Sequence, residues 1–389
     1  MLASESLFSD AVARASTIVT ATSLNPFVIA ERSRKKTVLV VSSSSKSAED
    51  LAHELRELHP RVYEFPAWET LPHEKLSPRS DTVARRIATL HAIGEETEPY
   101  ILITPIRGLI HRFNARLGKS ELLSLSVGNE IPLTTLVEKL TMLAYTRTDL
   151  VERHGEFAVR GGIIDIFLPL ADRPIRIDFF GDEIEEMKYF DVADQRSTSP
   201  VIGSVEIQPC RELLISDEVR RKALELEVKY PSAREVLGKI SEGIFAEGME
   251  ALIPLLVKES ETLLDRIPSN AELFIIDSPR AISRIADLIA TNNEFLEAAW
   301  SNASDGAKVP MPSLDNTYLS WDEINDLALK ADIAVRKLDA FGSDLDESAT
   351  FIEAQEIEPL RGSLDALISR IQLGLRENKA VIFAASGHG

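Results

Sequence analysis

Cysteine is nearly absent: Cys210 is the only one in 389 residues. A single thiol excludes an internal disulfide and any multi-thiolate zinc site, and it fits a reducing cytoplasm. Long apolar runs are missing as well. Nothing approaches the roughly 18 consecutive apolar residues of a membrane-spanning helix, so no membrane span is expected. The first residues, MLASESLFSDAVARAS, have neither a basic leader nor a long apolar core, so no signal peptide is expected. Positive charge is in deficit, with 43 Lys and Arg against 62 Asp and Glu and a net charge of −19. A nonspecific grip on nucleic acid by the whole chain is therefore disfavoured. The best basic cluster, Arg32 to Lys36, precedes a strand and reads as a solvated loop. The seven histidines are scattered. No acid/base pair, Ser/His/Asp set or metal cluster has usable spacing, so no catalytic, cofactor or metal residue is assigned.

Glycine is missing where phosphate chemistry would need it. Thr37–Val41 is an all-apolar run of the buried parallel type, followed by Ser42–Ser45, Lys46-Ser47 and a helix with Leu51, Ala52, Leu55 and Leu58 on its apolar positions. Strand, serine turn and helix imitate a phosphate-binding unit, and Lys46-Ser47 imitates the end of a Walker A loop. No glycine lies between Val38 and Ser47 to let backbone N–H groups curl around a phosphate, so the stretch reads as an ordinary capped helix start.

The remaining elements alternate. A helix is expected near residues 4–16 and a strand at Val62–Phe65. Prolines 66, 72 and 78 hold a loop open until Ser80-Asp81 starts a helix to Ile93. Further expectations are a strand at Tyr100–Thr104, helices near Leu109–Phe113 and Leu133–Ala144, and a buried strand at Glu272–Asp277. Helices are expected from Asp217 to Val228 capped by Ser216, from Pro231-Ser232 to Glu242, through IFAEGMEALIPLL, and over Ala281–Trp300. A surface loop is expected at 301–315, a helix at Leu364–Leu375 and a strand at Ala380–Ala384. Repeated strand–helix order argues for an α/β layer with a parallel sheet. Asp277, followed by Ser-Pro-Arg, does not make an acidic metal box.

Residues 155–190, GEFAVRGGIIDIFLPLADRPIRIDFFGDEIEEMKYF, break that pattern and predict an antiparallel meander. One strand is expected near Glu156–Pro169 with an interruption at Gly161-Gly162, a second near Pro174–Phe180 and a third near Glu183–Phe190. Alternation puts Ile175, Ile177 and Phe179 on one face of the second strand and Arg176, Asp178 and Phe180 on the other. A large aromatic on a charged face has the composition of an interface hot spot. In the competing reading Arg176 pairs with Asp178 or a cross-strand carboxylate and Phe180 caps the sheet. Phe157, Val159, Ile163, Ile166, Ile175, Ile177 and Phe179 are expected in the core.

The runs YTRTDLVERHGEFAVRGGIIDIFLP and PIRIDFFGDEIEEMKYFDVADQRS, preceded by FPAWETLPHEKLSPRSDTVARRIATL, closely resemble bacterial transcription-repair coupling factors (Mfd). More distantly, the GxFxVRGxxxDIF pattern resembles the excision-repair helicase UvrB. The resemblance implies a degenerate P-loop helicase-like α/β fold, similar to UvrB domains 1a and 1b, with an inserted α+β domain carrying an antiparallel sheet. Ile18–Glu31, where the P-loop would fall, has no glycine and no lysine. The implied divisions are subdomain 1a at 1–121, the inserted domain at 122–208, subdomain 1b at 209–345, and the start of a following domain at 346–389. The inserted domain holds 8 Lys and Arg against 15 Asp and Glu, which favours a protein partner over nucleic acid. By resemblance Arg160, Arg176 and Phe180 contact UvrA. The chain is expected to be a non-catalytic, cytoplasmic adaptor that is a fragment or truncated form, the competing reading being an ATP-dependent DNA repair helicase of the UvrB type. RNA polymerase, double-stranded DNA, ATP and magnesium would belong to domains downstream of it.

Overall fold

The computed structural model describes residues 15–71, 76–119, 122–230, 233–304, 318–341, 349–352 and 364–377. In chain order the first part comprises β1 (Thr17–Val19), α1 (Asn25–Ser33), β2 (Val38–Ser42), α2 (Ser45–Arg56), β3 (Val62–Glu64), α3 (Ser80–Glu95), β4 (Ile101–Pro105), α4 (Ile106–Ile110) and β5 (Phe113–Asn114). The middle part comprises β6 (Leu123–Ser126), α5 (Leu133–Met142), β7 (Thr146–Arg147), β8 (Glu156–Arg160), β9 (Ile163–Ile166), β10 (Ile175–Phe180), β11 (Glu183–Phe190), β12 (Ser197–Val201) and β13 (Ser204–Ile207). The last part comprises α6 (Asp217–Lys229), α7 (Arg234–Ser241), α8 (Ile253–Leu256), β14 (Ser260–Glu261), β15 (Glu272–Ile276), α9 (Ser278–Ser304), α10 (Trp321–Lys330), β16 (Ala334–Asp339), β17 (Thr350–Phe351) and α11 (Leu364–Arg376).

The frame is a seven-stranded sheet in the order β17-β1-β16-β15-β2-β4-β3, and its pairings are parallel. Every residue of β2 and β4 is buried, as their unbroken apolar runs require of strands covered on both faces. Ile87 and Leu90 of α3, Leu109 of α4, Ile285 of α9 and Ile324 of α10 pack on one face. Val28 and Ile29 of α1 and Leu51 and Leu55 of α2 pack on the other. The expected division into 1–121 and 209–345 does not separate two sheets, because β15 and β16 insert between β1 and β2. β17, within the 346–389 division, pairs with β1.

The antiparallel sheet runs β12-β11-β10-β9-β8, with β7 added parallel at its edge. Gly161-Gly162 is a chain reversal rather than an interruption, so the strand expected at Glu156–Pro169 is the β8–β9 hairpin. Gly161 takes φ +61, a left-handed geometry that a side chain would strain. Leu136 and Leu140 of α5 cover one sheet face, packing with Phe157, Ile164, Ile166, Ile175, Ile177, Ile184 and Met187. Val151, Ala158, Phe167 and Phe190 form a smaller core on the opposite face.

Residues 213–230 and 233–256 form a helical satellite packed around Trp68. The run IFAEGMEALIPLL is not one helix. Met249–Leu252 is a 3-10 turn and α8 has four residues, because Gly248 turns left-handed at φ +76 and Pro254 lacks an N–H. The helix expected near Leu109–Phe113 sits earlier, at Ile106–Ile110. The helix expected at 4–16, the strand at Ala380–Ala384 and the Pro231-Ser232 helix start lie outside the described residues, wholly or except for 15 and 16. Of the 301–315 loop, residues 301–304 continue α9 and the rest lies outside them.

Cys210 is buried in the core beneath α5. Burial pushes its thiol up to about 12, against the opposing hydrogen bond with Tyr145. A thiol so rarely ionised is unreactive. Iodoacetamide at pH 8 is expected to leave the native chain unmodified and to add one carbamidomethyl group after denaturation, as read by intact mass. Stoichiometric labelling of the native chain would contradict this burial.

Candidate functional site: the outer face of the inserted sheet

Register places the three sequence-derived residues on one face. Ala158, Asp165, Arg176 and Lys188 stand in one row across β8, β9, β10 and β11, and Arg160, Ile163 and Asp178 in the next. Phe180 follows two residues beyond Asp178, where the side chains again point to this face. The extra residue of the bulge near Asp178 and Phe179 lies on β11, since Glu185 has no partner between Ile184 and Glu186. Alternation along β10 therefore survives to Phe180.

Exposure separates the three. Phe180 is 77% exposed, at the Gly181-Asp182 turn, where Gly181 takes φ +64. Arg160 is exposed, and its Nη2 donates to the Asp149 carbonyl at 3.0 Å. Arg176 is only 16% exposed at its side chain. Its Nε and Nη2 donate to the two oxygens of Asp165 at 2.7 and 2.8 Å, and Nη1 donates to the Gln195 carbonyl at 3.1 Å. The guanidinium also lies 4.8 Å from the Phe190 ring centre. This forked pair is the strong geometry for arginine and a carboxylate, and hydrogen bonding to Asp165 raises the Arg176 pKa above its ordinary value. The cross-strand pairing offered as the competing reading is thus present for Arg176, whereas Phe180 is open to solvent.

Ile163, expected in the core, belongs to the exposed row with Arg160 and is half-buried. Ile166, Phe157, Ile175 and Ile177 are buried, and Val159 and Phe179 pack partly buried against them. Asp165 and Gln195 escaped the sequence reading. A lone carboxylate inside the apolar run IIDIF, on the strand next to that of Arg176, is the signal that could have found Asp165.

The frame holds a second polar cluster at its junction with the satellite. Arg86 of α3 and Glu212 form a fully buried ion pair. Trp68 Nε1 donates to Glu212 Oε1 at 2.8 Å, and Arg86 Nη1 donates to the Pro66 carbonyl at 2.8 Å. Arg86 lies 4.0 Å over the Phe65 ring. Trp68 also contacts His111, whose ring is held neutral, well below its usual pKa, by burial and then by Arg86 and Arg107.

At the carboxyl ends of the parallel strands, Ser44 caps α2 by accepting from Ser47 N at 3.1 Å. Lys46 points along the helix to Asp50 at 2.7 Å. Ser278 N and Oγ donate to Asp339 at 2.6 and 2.9 Å. Among the described residues no group of three or more His, Cys, Asp or Glu is placed to hold a metal ion, and no helix is long and apolar enough to cross a membrane.

The architecture, a parallel α/β frame carrying a domain built on an antiparallel sheet, is consistent with the UvrB-like fold. Residues 123–213 match the UvrB interaction domain family. Over 96% of its length the chain is 36% identical to the transcription-repair-coupling factor of Mycobacterium tuberculosis, of which it covers 32%. The Myxococcus xanthus protein of that description is 32% identical over 69% of this chain and 23% of its own length. The Escherichia coli K12 protein is 26% identical over 89% of this chain and 33% of its own. The chain is homologous to the N-terminal part of transcription-repair-coupling factors, and it spans about a third of the M. tuberculosis relative's length.

Proposed function

We propose that this chain is a docking module of transcription-coupled nucleotide excision repair that recruits UvrA through the outer face of its inserted sheet. The observation that carries this reading is the 77% exposed Phe180 on the same sheet face as the exposed Arg160, in a domain matched by the UvrB interaction family. Phe180 offers apolar area, and Arg160 offers guanidinium donors to a carboxylate of the partner. Arg176 contributes from a held position, with Asp165 fixing one edge of its guanidinium. The domain's acidity, 8 basic against 15 acidic residues, supports a protein partner over nucleic acid.

The frame is read as non-catalytic within this chain. The supporting features are the glycine-free residues 18–31, the side-chain cap on α2, and the hydrogen bonds between Ser278 and Asp339. Translocation on DNA with ATP and magnesium, and contact with RNA polymerase, are assigned to the longer chain of the relatives. Two measurements on the purified chain test the reading. It should capture UvrA with the wild-type face and not with Arg160→Ala/Phe180→Ala, and it should show no ATP turnover. Equal capture by a folded double variant overturns the docking site, and steady ATP hydrolysis overturns the non-catalytic frame.

A further inference from the structure

Gln195 is an outlier that the docking reading leaves unexplained. It takes φ +60, which costs a residue with a side chain, and such strain persists only where the surroundings hold it in place. Here they do. Its N–H donates to the Asp191 carbonyl at 2.8 Å, closing the turn between β11 and β12. Its carbonyl accepts from Arg176 Nη1 at 3.1 Å. Its side-chain amide donates to the carbonyls of Val192 at 2.9 Å and Val151 at 3.3 Å. Gln195 Oε1 is buried with no hydrogen-bond partner among the described residues, so the side chain is held by its donors alone.

The Val151 contact matters for position. Val151 is fully buried and belongs to the small core on the docking side, with Val192 packed against it. Two residues earlier in the same loop, the Asp149 carbonyl accepts from Arg160 Nη2 at 3.0 Å. A continuous set of hydrogen bonds therefore runs from Asp165 through Arg176 to Gln195, then through the 149–151 loop to Arg160. The two arginines sit on β8 and β10 with β9 between them, and Gln195 is the residue that bonds toward both.

We infer that Gln195 is a positioning residue of the docking face, which pre-organises Arg176 directly and Arg160 through the loop at Asp149–Val151. This rests on the docking reading above. Holding donors in their bound geometry before encounter spares the ordering cost that flexible arginines pay on association. The side chain also holds its own turn, through the amide donated to the Val192 carbonyl at 2.9 Å.

Gln195→Met tests this, since it keeps length and backbone, removes both amide donors and also removes the buried unpartnered oxygen. UvrA affinity should fall roughly tenfold at a temperature where thermal melts show the variant to be folded. Arg160→Ala should cost distinctly less in the Gln195→Met background than in wild type, a coupling that a purely structural role would not produce. Without partner, amide exchange in residues 148–153 should quicken in the variant. Wild-type affinity of Gln195→Met, or an equal cost of Arg160→Ala in both backgrounds, overturns the inference. Phe180→Ala, at the far end of β10 from Arg176, keeps the two readings apart. If it weakens binding and Gln195→Met does not, only the positioning role falls. If Phe180→Ala is silent, the docking face falls and the positioning role with it.

Discussion

Glu212→Ala is expected to destabilise the chain by about 3–5 kcal/mol, because it strands the Arg86 guanidinium in a site with no water access. Both side chains are 0% exposed, and Trp68 Nε1 would lose its acceptor in the same change. The damage should fall on the junction between the frame and the helical satellite, since Arg86 belongs to α3 while Trp68 packs into the satellite core. Breaking one partner costs more than removing both, so Arg86→Met/Glu212→Leu should be much less harmful than the sum of the single changes. Urea midpoints of wild type, Glu212→Ala, Arg86→Met, Glu212→Leu and the double variant, followed by tryptophan fluorescence and by circular dichroism, measure this. A loss below about 1 kcal/mol for Glu212→Ala would contradict a desolvated pair.

Phe180→Ala and Arg176→Ala are expected to fail differently, and the difference is large enough to measure. Phe180 is 77% exposed, so its truncation should leave the unfolding midpoint unchanged. If it is the apolar anchor of the UvrA contact, affinity should fall by about 2 kcal/mol, or roughly 30-fold. Arg176→Ala should lose affinity and stability together, because it leaves the 2% exposed Asp165 side chain without its partner. Titration calorimetry against UvrA with parallel thermal melts separates the two. An Arg176→Ala protein as stable as wild type would show that the Asp165 pair contributes little to the fold. A Phe180→Ala protein with unaltered affinity would overturn the docking face that Phe180 anchors. It follows that Arg160 and Phe180 report on docking cleanly, whereas Arg176 reports on docking mixed with folding.

Much of this architecture was legible before folding. The all-apolar runs at Thr37–Val41 and Tyr100–Thr104 are parallel strands because only burial on both faces tolerates them. Ser216 caps α6 by accepting from Val219 N at 3.3 Å, as a short polar residue before a periodic run indicates, while Ser80 is the first residue of α3 and Arg79 its N-cap, without a side-chain cap. Period-two alternation put Arg176 and Phe180 on one face and Ile175 and Ile177 on the other, and the β10 register agrees. The misplacements share a cause. Gly161-Gly162 was an interruption in one dimension and a hairpin in three, since a glycine pair fits both. Ile163 was assigned to the core by its hydrophobicity, but its place directly after that reversal sets which face it occupies.

Local patterning, then, determined most of the elements, the acidity of the inserted sheet and the shared face of Arg176, Asp178 and Phe180, because capping, periodicity and strand alternation act between near neighbours in the chain. Tertiary structure alone decided that β15 and β16 enter between β1 and β2 to make one sheet, and that Arg86 meets Glu212 across 126 positions. It also decided that Phe180 stays free while Arg176 is spent largely on Asp165 and Gln195. Those outcomes depend on which distant groups desolvate each other, and a charge finds its partner in the fold, at a separation the sequence does not encode.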